Sequence, residues 1–359
     1  MTPGVVSGNS RYSDYYRSQG PVLVRREGAL GRLTLNKPKA LNAIDHEMVG
    51  ILAAALDSFA DDDTVTAVAI DGAGERGLSA GGDVRYLAAH PGREGAALLA
   101  DEYRLDARIA RFPKPYVALM DGLVMGGGVG VSAHGSVRVV TERSIVAMPE
   151  VTIGYVPDVG GTWLLGHAPG ETGVHAALTA ARLGPADAIA CGFADFQVDD
   201  LPALLDALRD GAAALTAAED LTVDPGPSAV HAARDWIDRC YSAPDLTGIR
   251  DALAADPHPG ARAAAEALTK AAPLAATMTL RAVRDARGFS GLEDALRVEY
   301  VLTRCAIRWP DFAEGVRAML VDRDGSPAWD PPRIEDVTRE TEHQFLSLTR
   351  EDDPPLVFA

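Results

Sequence analysis

Two acids eight residues apart, Glu150 in Met148-Pro149-Glu150 and Asp158 in Pro157-Asp158-Val159-Gly160-Gly161, are the first candidates for chemistry in this 359-residue chain. Neighbouring carboxyls can divide acid and base roles when their surroundings separate their pKa values. The same spacing also suits a helix-start acid followed by a turn residue. Upstream lie two glycine-rich stretches, Gly77-Leu78-Ser79-Ala80-Gly81-Gly82-Asp83 and Met125-Gly126-Gly127-Gly128-Val129-Gly130. Each stands where a strand gives way to a helix. Small residues let a ligand approach the backbone, and free amides at a helix start stabilise an anion. Two convergent donors would hold a developing oxyanion. The structural alternatives are a tight strand-to-helix connection with Asp83 as a first-turn acid, and a helix packed closely beneath the sheet.

Other chemistries find less support. Neither glycine run is followed by Gly-Lys-Ser/Thr, so there is no P-loop. The G-x-G-x-x-G string Gly72–Gly77 continues as a glycine-rich loop to Gly82 instead of opening a helix. His134 and His167 lack a G-x-S-x-G elbow, and His134, set in Ser132-Ala133-His134-Gly135, reads as a satisfied core histidine. No His, Cys and carboxylate spacing supplies converging metal ligands, and no metal is expected. Lysine occurs only at positions 37, 39, 114 and 270. Lys37 and Lys39 fall together, with Arg25 and Arg26 on the preceding strand. That cluster is either a phosphate contact or a solvated charged turn.

The elements that must position these residues alternate. Val22 and Val24 pair with Leu33 and Leu35 in a predicted hairpin. Asn42 or Asp45 caps a helix running to about Phe59, with Met48, Leu52, Leu56 and Phe59 on one stripe. Strands are expected at Thr64–Ile70, Tyr116–Leu119 and Val137–Val140, with a helix from about Glu94 to Ile109. This is an α/β layered pattern. Beyond about residue 200 the chain turns Ala-, Leu- and Arg-rich and helical. The expected division is a flexible arm over 1–20, a core carrying the site over 21–200 and a helical module over 201–359. In that module Leu292, Ala295, Leu296, Val298 and Tyr300, with Phe312 and Val316, form a stripe expected to pack over the core. Lys and Arg total 34 against 51 Asp and Glu, a formal charge of −17. So acidic a surface argues against nucleic-acid or anionic-membrane partners. No stretch has the ~18 apolar residues of a membrane span. Three scattered cysteines (Cys191, Cys240, Cys305) suggest reduced thiols and a cytoplasmic setting.

Taken in order, Asn36-Lys37-Pro38, Leu41-Asn42-Ala43, Ser79–Asp83, Gly126–Gly128, Met148-Pro149-Glu150 and Gly154 through Gly161 resemble the crotonase (enoyl-CoA hydratase/isomerase) superfamily. The resemblance implies a spiral of β-β-α turns with a C-terminal α-helical module. It implies an acyl-coenzyme A substrate, with coenzyme A as part of that substrate and no separate cofactor. The thioester oxygen would be held by the amides of Ala80 and Gly127. Coenzyme A would run past Lys37, Lys39, Ala40, Leu41 and Asn42. Gly82, Asp83 and Glu102 would meet the acyl end, and the chain would form a trimer or hexamer.

Within the superfamily the match is nearest to the 3-hydroxyisobutyryl-CoA hydrolases, through Asp101-Glu102-Tyr103, the block from Tyr116 to Gly161 and "DFAEGVRAMLVDRDGSPAW". Hydratases of the superfamily carry a glutamate two residues after the third glycine of their run. Gly130 stands there in this chain, while Asp158 replaces a usual small residue. Arg323 stands where the hydrolases often have lysine. The resemblance therefore implies hydrolysis of a short, branched 3-hydroxyacyl-CoA, as in valine breakdown, with Glu150 and Asp158 catalytic. Hydration or isomerisation of an enoyl-CoA is the second reading, and acyl-CoA binding without turnover the third.

Overall fold

The computed structural model describes residues 19–358. All but the last two residues of the expected N-terminal arm lie outside the described residues.

The hairpin forms as the alternation predicts. Strands β1 (Val22–Glu27) and β2 (Leu30–Leu35) are antiparallel, with Val22 opposite Leu35 and Val24 opposite Leu33. Helix α1 (His46–Asp61) is capped by Asp45, whose carboxylate accepts from the Met48 amide at 3.0 Å. The first strand of a parallel run, β3 (Ala67–Gly72), lies beside β2 and begins later than the sequence suggests. Thr64 belongs to a turn instead, its amide donating to the Asp62 carboxylate. Helices α2 (Val84–Ala89) and α3 (Arg93–Ala110) follow, then β4 (Tyr116–Met120), β5 (Leu123–Met125), α4 (Gly127–Ala133), β6 (Val137–Val140) and β7 (Ile145–Ala147). Next come α5 (Gly161–His167), α6 (Thr172–Thr179), α7 (Pro185–Ala190) and the last strand, β8 (Phe196–Gln197).

The main sheet has the order β1-β2-β3-β4-β6-β8, and all pairs after the hairpin are parallel. A second, two-stranded parallel sheet joins β5 to β7. It is extended by parallel bridges from Ser79 to Val124 and from Ile44 to Gly82. Each turn of the chain thus adds a strand to the large sheet, then an extended segment to the small one, then a helix. That repetition is the predicted spiral.

Everything after Gln197 is helical or irregular. Helices α8 (Leu201–Arg209) and α9 (Ala214–Asp220) set Leu204, Leu205, Leu208 and Ala218 against Val117, Leu119 and Val139 of the large sheet. The remaining α-helices are α10 (Ala229–Ala232), α11 (Arg234–Tyr241), α12 (Leu246–Ala255), α13 (Pro259–Leu268), α14 (Pro273–Ala286), α15 (Leu292–Ala306), α16 (Pro310–Val316), which runs on into a π-helical turn (Arg317–Val321), and α17 (Arg339–Leu346). A 3₁₀ turn (Ile334–Asp336) precedes α17, which opens at a capping box on Thr338. On α15 the stripe of Ala295, Leu296 and Tyr300 is buried, as are Phe312 and Val316 on α16, while Val298 is only partly so. These residues join the same core as the spiral's helices.

Candidate active site

The small sheet sets the register of the site. Because Ser79 pairs with Val124, and Val124 with Val146, successive turns of the spiral run side by side. Three residues past Ser79 lies Gly82; three past Val124 lies Gly127; four past Val146 lies Glu150. The two glycine runs therefore emerge together, with Glu150 on the next turn. The backbone at Gly81 (φ +118°) and Gly126 (φ +48°) is in the left-handed half of conformational space, which glycine enters without a Cβ penalty. Each turns the next amide out of the chain's own hydrogen-bonding pattern.

This geometry corrects one expectation. The Ala80 amide donates to the Leu41 carbonyl at 3.0 Å, so it is not free to hold a substrate oxygen. The amide that meets Gly127 belongs to Gly82. Its nitrogen lies 3.1 Å from where a Cβ on Gly127 would stand. Among the described residues, neither the Gly82 nor the Gly127 amide has an acceptor. Two bare donors this close form an anion-holding pair.

Carboxyls surround the pair. A Cβ on Gly126 would lie 3.1 Å from Glu150 Oε1, and one on Gly127 2.7 Å from Glu102 Oε1. Glu102 comes from α3, whose inner face also buries Tyr103 and Asp106. Asp158 accepts from the Tyr103 hydroxyl at 2.8 Å and the Tyr155 hydroxyl at 3.3 Å. The Tyr103 hydroxyl oxygen also lies 3.0 Å from Thr303 Oγ1. The residues Glu102, Gly127, Glu150 and Asp158, far apart in sequence, thus meet at one buried place.

Two acids that the sequence reading passed over belong here. Glu299 on α15 is fully buried and accepts from the amides of Gly160 (2.7 Å) and Thr162 (2.9 Å), and from the Thr162 hydroxyl. It grips the loop that carries Asp158. Val159 in that loop has φ +53°, a costly conformation for a β-branched residue. His134 steadies the same loop, its Nε2 2.7 Å from the Val159 carbonyl oxygen. Burial pushes His134 down to about 4, so it is neutral and donates from Nε2, the core role expected of it. Asp106, one helical turn beyond Glu102, is also fully buried, and both its oxygens lack partners. The signals were an i, i+4 acid pair on an apolar helix face and a lone glutamate in the stripe between Val298 and Tyr300.

Five buried carboxyls cannot all ionise together, because desolvation and mutual repulsion disfavour each charge. Their differences follow their donors. Asp158, with two tyrosine hydroxyls, is raised by burial to about 7, and Glu299, with three donors, also to about 7. Burial and the Asp158 charge raise Glu102 to about 8. Glu150 and Asp106 are pushed well above the carboxylate range, first by burial and then by neighbouring acids. Glu150 Oε2 and Glu102 Oε1 find no partner either.

At Gly130 a side chain would meet the Val159 Cβ at 2.7 Å and Asp106 Oδ1 at 2.9 Å. There is no room for a glutamate at this position.

The expected coenzyme A segment is a 3₁₀ turn (Pro38–Ala40) with its polar groups largely engaged. Lys37 Nζ pairs with Asp45 at 2.8 Å. Asn42 is buried, with its side-chain nitrogen donating to the carbonyls of Ala73, Gly77 and Leu78 and its oxygen accepting from the Lys37 amide. Its side chain is a clamp between two loops, which removes it as a ligand contact. Lys39 and Ala40 are exposed and Leu41 is half-buried. Asp83 caps α2 by accepting from the Tyr86 amide at 3.0 Å, the first-turn role allowed for it above.

Comparison with known proteins agrees with this fold. A family described as enoyl-CoA hydratase/isomerase matches residues 30–346. The chain belongs to that family, the crotonase superfamily. A chicken (Gallus gallus) protein named 3-hydroxyisobutyryl-CoA hydrolase, mitochondrial, is 38% identical over 339 residues, covering 90% of this chain and 88% of its own. An Arabidopsis thaliana protein named 3-hydroxyisobutyryl-CoA hydrolase 1 is 37% identical, covering 94% of both chains. Among solved structures, one called a carnitinyl-CoA dehydratase from Mycobacterium thermoresistibile is 45% identical with TM-score 0.88, covering 94% of this chain and 98% of that one. These names diverge between hydrolysis and dehydration, so the site must arbitrate.

Proposed function

We propose that this chain is an enzyme that hydrolyses the thioester of a short, branched 3-hydroxyacyl-coenzyme A of the 3-hydroxyisobutyryl type. The observation that carries the reading is the closed space at Gly130 beside an open pair of amides. The site offers a polarised carbonyl and Glu150, and leaves no room for a second glutamate at 130 to manage water across a double bond. The names of the curated relatives support the same choice.

In this reading the amides of Gly82 and Gly127 hold the thioester oxygen, each contributing about 3 kcal/mol as negative charge develops there. Glu150 removes a proton from water, whose oxygen bonds to the carbonyl carbon. The carbon–sulfur bond then breaks, the thiolate takes up a proton, and the free acid leaves. Direct attack by Glu150, giving an anhydride that water opens, balances equally; labelled oxygen found in Glu150 after a single turnover in H₂¹⁸O would mark that route. Glu150 is held protonated by its burial and by the neighbouring Asp158 charge, and Asp158, anchored by two tyrosines, is the base that receives that proton. Turnover should therefore rise with pH as the pair loses its proton. Glu102 faces the acyl hydroxyl.

Coenzyme A would pass along the exposed edge at Lys39 and Ala40 toward Leu41, and serves as part of the substrate with no separate cofactor. A trimeric or hexameric assembly and a place in valine breakdown belong to the same proposal. No described helix is long and apolar enough to cross a membrane. The cytoplasmic setting is a proposal resting on three buried free thiols; the chicken relative is mitochondrial by name, and fractionation of the source cells decides.

The test is thiol release from 3-hydroxyisobutyryl-CoA beside hydration of crotonyl-CoA. Rapid release with weak hydration is expected. Strong hydration without thiol release favours the second reading, an enoyl-CoA hydratase, and tight binding without either reaction favours a non-catalytic binder.

A further inference from the structure

Asp106 is the one acid in the cluster for which both oxygens are sealed from solvent and without a partner. Its position follows from two helices in register. Glu102 and Asp106, four apart on α3, rest against Gly127 and Gly130, three apart on α4, with an oxygen 2.7 and 2.9 Å, respectively, from where a glycine Cβ would stand. Residues four apart on a helix lie on one face, one turn along. A buried ion with no donor costs far more than the neutral acid. A neutral acid in turn needs an acceptor for its O–H, and Glu102 Oε1 is an unpartnered carboxyl oxygen on the same helix face.

We propose that Asp106 is a positioning residue of this site: its carboxylic acid keeps its proton and donates it in a hydrogen bond to Glu102, one turn along α3. Once Glu102 has given up its own proton, at about pH 8, the two carboxyls hold one proton and one negative charge between them. Glu102, then charged but steadied, keeps its other oxygen as an acceptor at the acyl end. An acceptor there selects an acyl group that carries a hydroxyl over one that does not. This last step rests on the hydrolase reading; the shared proton does not.

The titratable groups that face Asp106 agree with a retained proton. They are Glu102 on its own helix, Tyr116 on β4, Asp158 in its loop and Glu299 on α15, while α4 presents only Gly130. Burial acts first and the three acids add repulsion, so of the pair Asp106 is the more strongly raised and keeps the proton.

The full-length protein tests this with two substitutions. Asp106→Asn keeps a donor toward Glu102 but carries no proton to lose, and Asp106→Leu keeps volume without a donor. An infrared difference spectrum of wild type minus Asp106→Asn at about neutral pH should contain a protonated-carboxyl stretch. Asp106→Leu should raise KM for 3-hydroxyisobutyryl-CoA ~10-fold or more, the size of one hydrogen bond to a charged group. Its effect on isobutyryl-CoA should be much smaller, and Asp106→Asn should restore KM to within a few-fold of wild type. A spectrum without the protonated band overturns the proposal even if Asp106→Leu fails to fold. Equal KM values for the Leu and Asn variants on the hydroxylated substrate also overturn it. A clear band in a protein that releases thiol from no thioester supports the shared proton and removes the hydrolase reading instead.

Discussion

The two ends of the expected ligand path treat polar groups in opposite ways. Around residues 37–45 the charges and amides are matched locally: Lys37 with Asp45, Asp45 with the Met48 amide, and Asn42 with three carbonyls and one amide. At the acyl end, two backbone amides and oxygens of Glu102, Asp106 and Glu150 are left without partners inside the fold. Native interiors satisfy nearly all buried polar groups, so a local concentration of exceptions calls for an explanation. Carboxyls with displaced pKa values beside unused donors are what a catalytic site requires. Satisfied polarity at the turn holds shape; in the proposed reading the open amides and the Glu150 carboxyl are kept for a substrate, while Asp106 and Glu102 satisfy each other.

The largest expected effect breaks the acyl end directly. Glu150→Gln should reduce kcat and kcat/KM for thiol release together, by ~10²–10⁴-fold or more, the range of general acid–base catalysis. Coenzyme A binding, measured by calorimetry, should hardly change. Unaltered hydrolysis would remove Glu150 from the centre.

A second substitution asks whether the acids differ by their donors. Glu299 is matched by three donors, so Glu299→Ala should act on structure, leaving the Gly160 and Thr162 amides unpaired under a strained Val159. A loss of about 2–5 kcal/mol in denaturant unfolding is expected, together with slower turnover as the Asp158 loop loosens. A fully stable variant would mean that His134 alone holds the loop.

At the turn, Asn42→Ala removes a fully used clamp and should destabilise by about 1–3 kcal/mol. Any activity lost should return when the temperature is lowered, since the acids are untouched. A persistent kcat defect in well-folded protein would blur the contrast between the two ends.

The pH dependence of stability sharpens the contrast without altering shape. Glu102 is raised from an ordinary 4.5 to about 8, so the folded state holds this proton more tightly than the unfolded chain does. Its stabilising contribution is complete below about pH 4 and is lost as pH rises through about 8. The stability of wild type relative to Glu102→Gln should therefore fall across that interval in chemical denaturation. A flat difference would mean that Glu102 titrates as an ordinary surface acid.

The smallest effect is expected at Lys37. Its pair with Asp45 is partly exposed on both sides, and such pairs contribute ~0–1 kcal/mol. Lys37→Met should leave thermal stability nearly unchanged, and a large drop in coenzyme A affinity would show that the ligand captures the lysine from Asp45.

Much of this molecule was legible in its amino-acid order. Alternation marked the hairpin, the periodic stripe marked α1 with its Asp45 cap, and the glycine runs marked the two turns from which amides emerge. Motif order identified the family and brought Glu102, Gly127, Glu150 and Asp158 forward as site residues. Those features are local, set by side-chain periodicity and backbone freedom over a few residues. Which amide is free was not local. Ala80 and Gly82 are equivalent by spacing until the Leu41 carbonyl, 39 residues upstream, takes the Ala80 hydrogen. The roles of Asp106 and Glu299 depended likewise on packing. An acid on a helix is solvated by default, and only the docking of α3 and α15 onto the Gly127–Gly130 helix and the Asp158 loop removed their water. Tertiary structure decided these points because hydrogen-bond competition and desolvation depend on neighbours that the chain brings together only when folded.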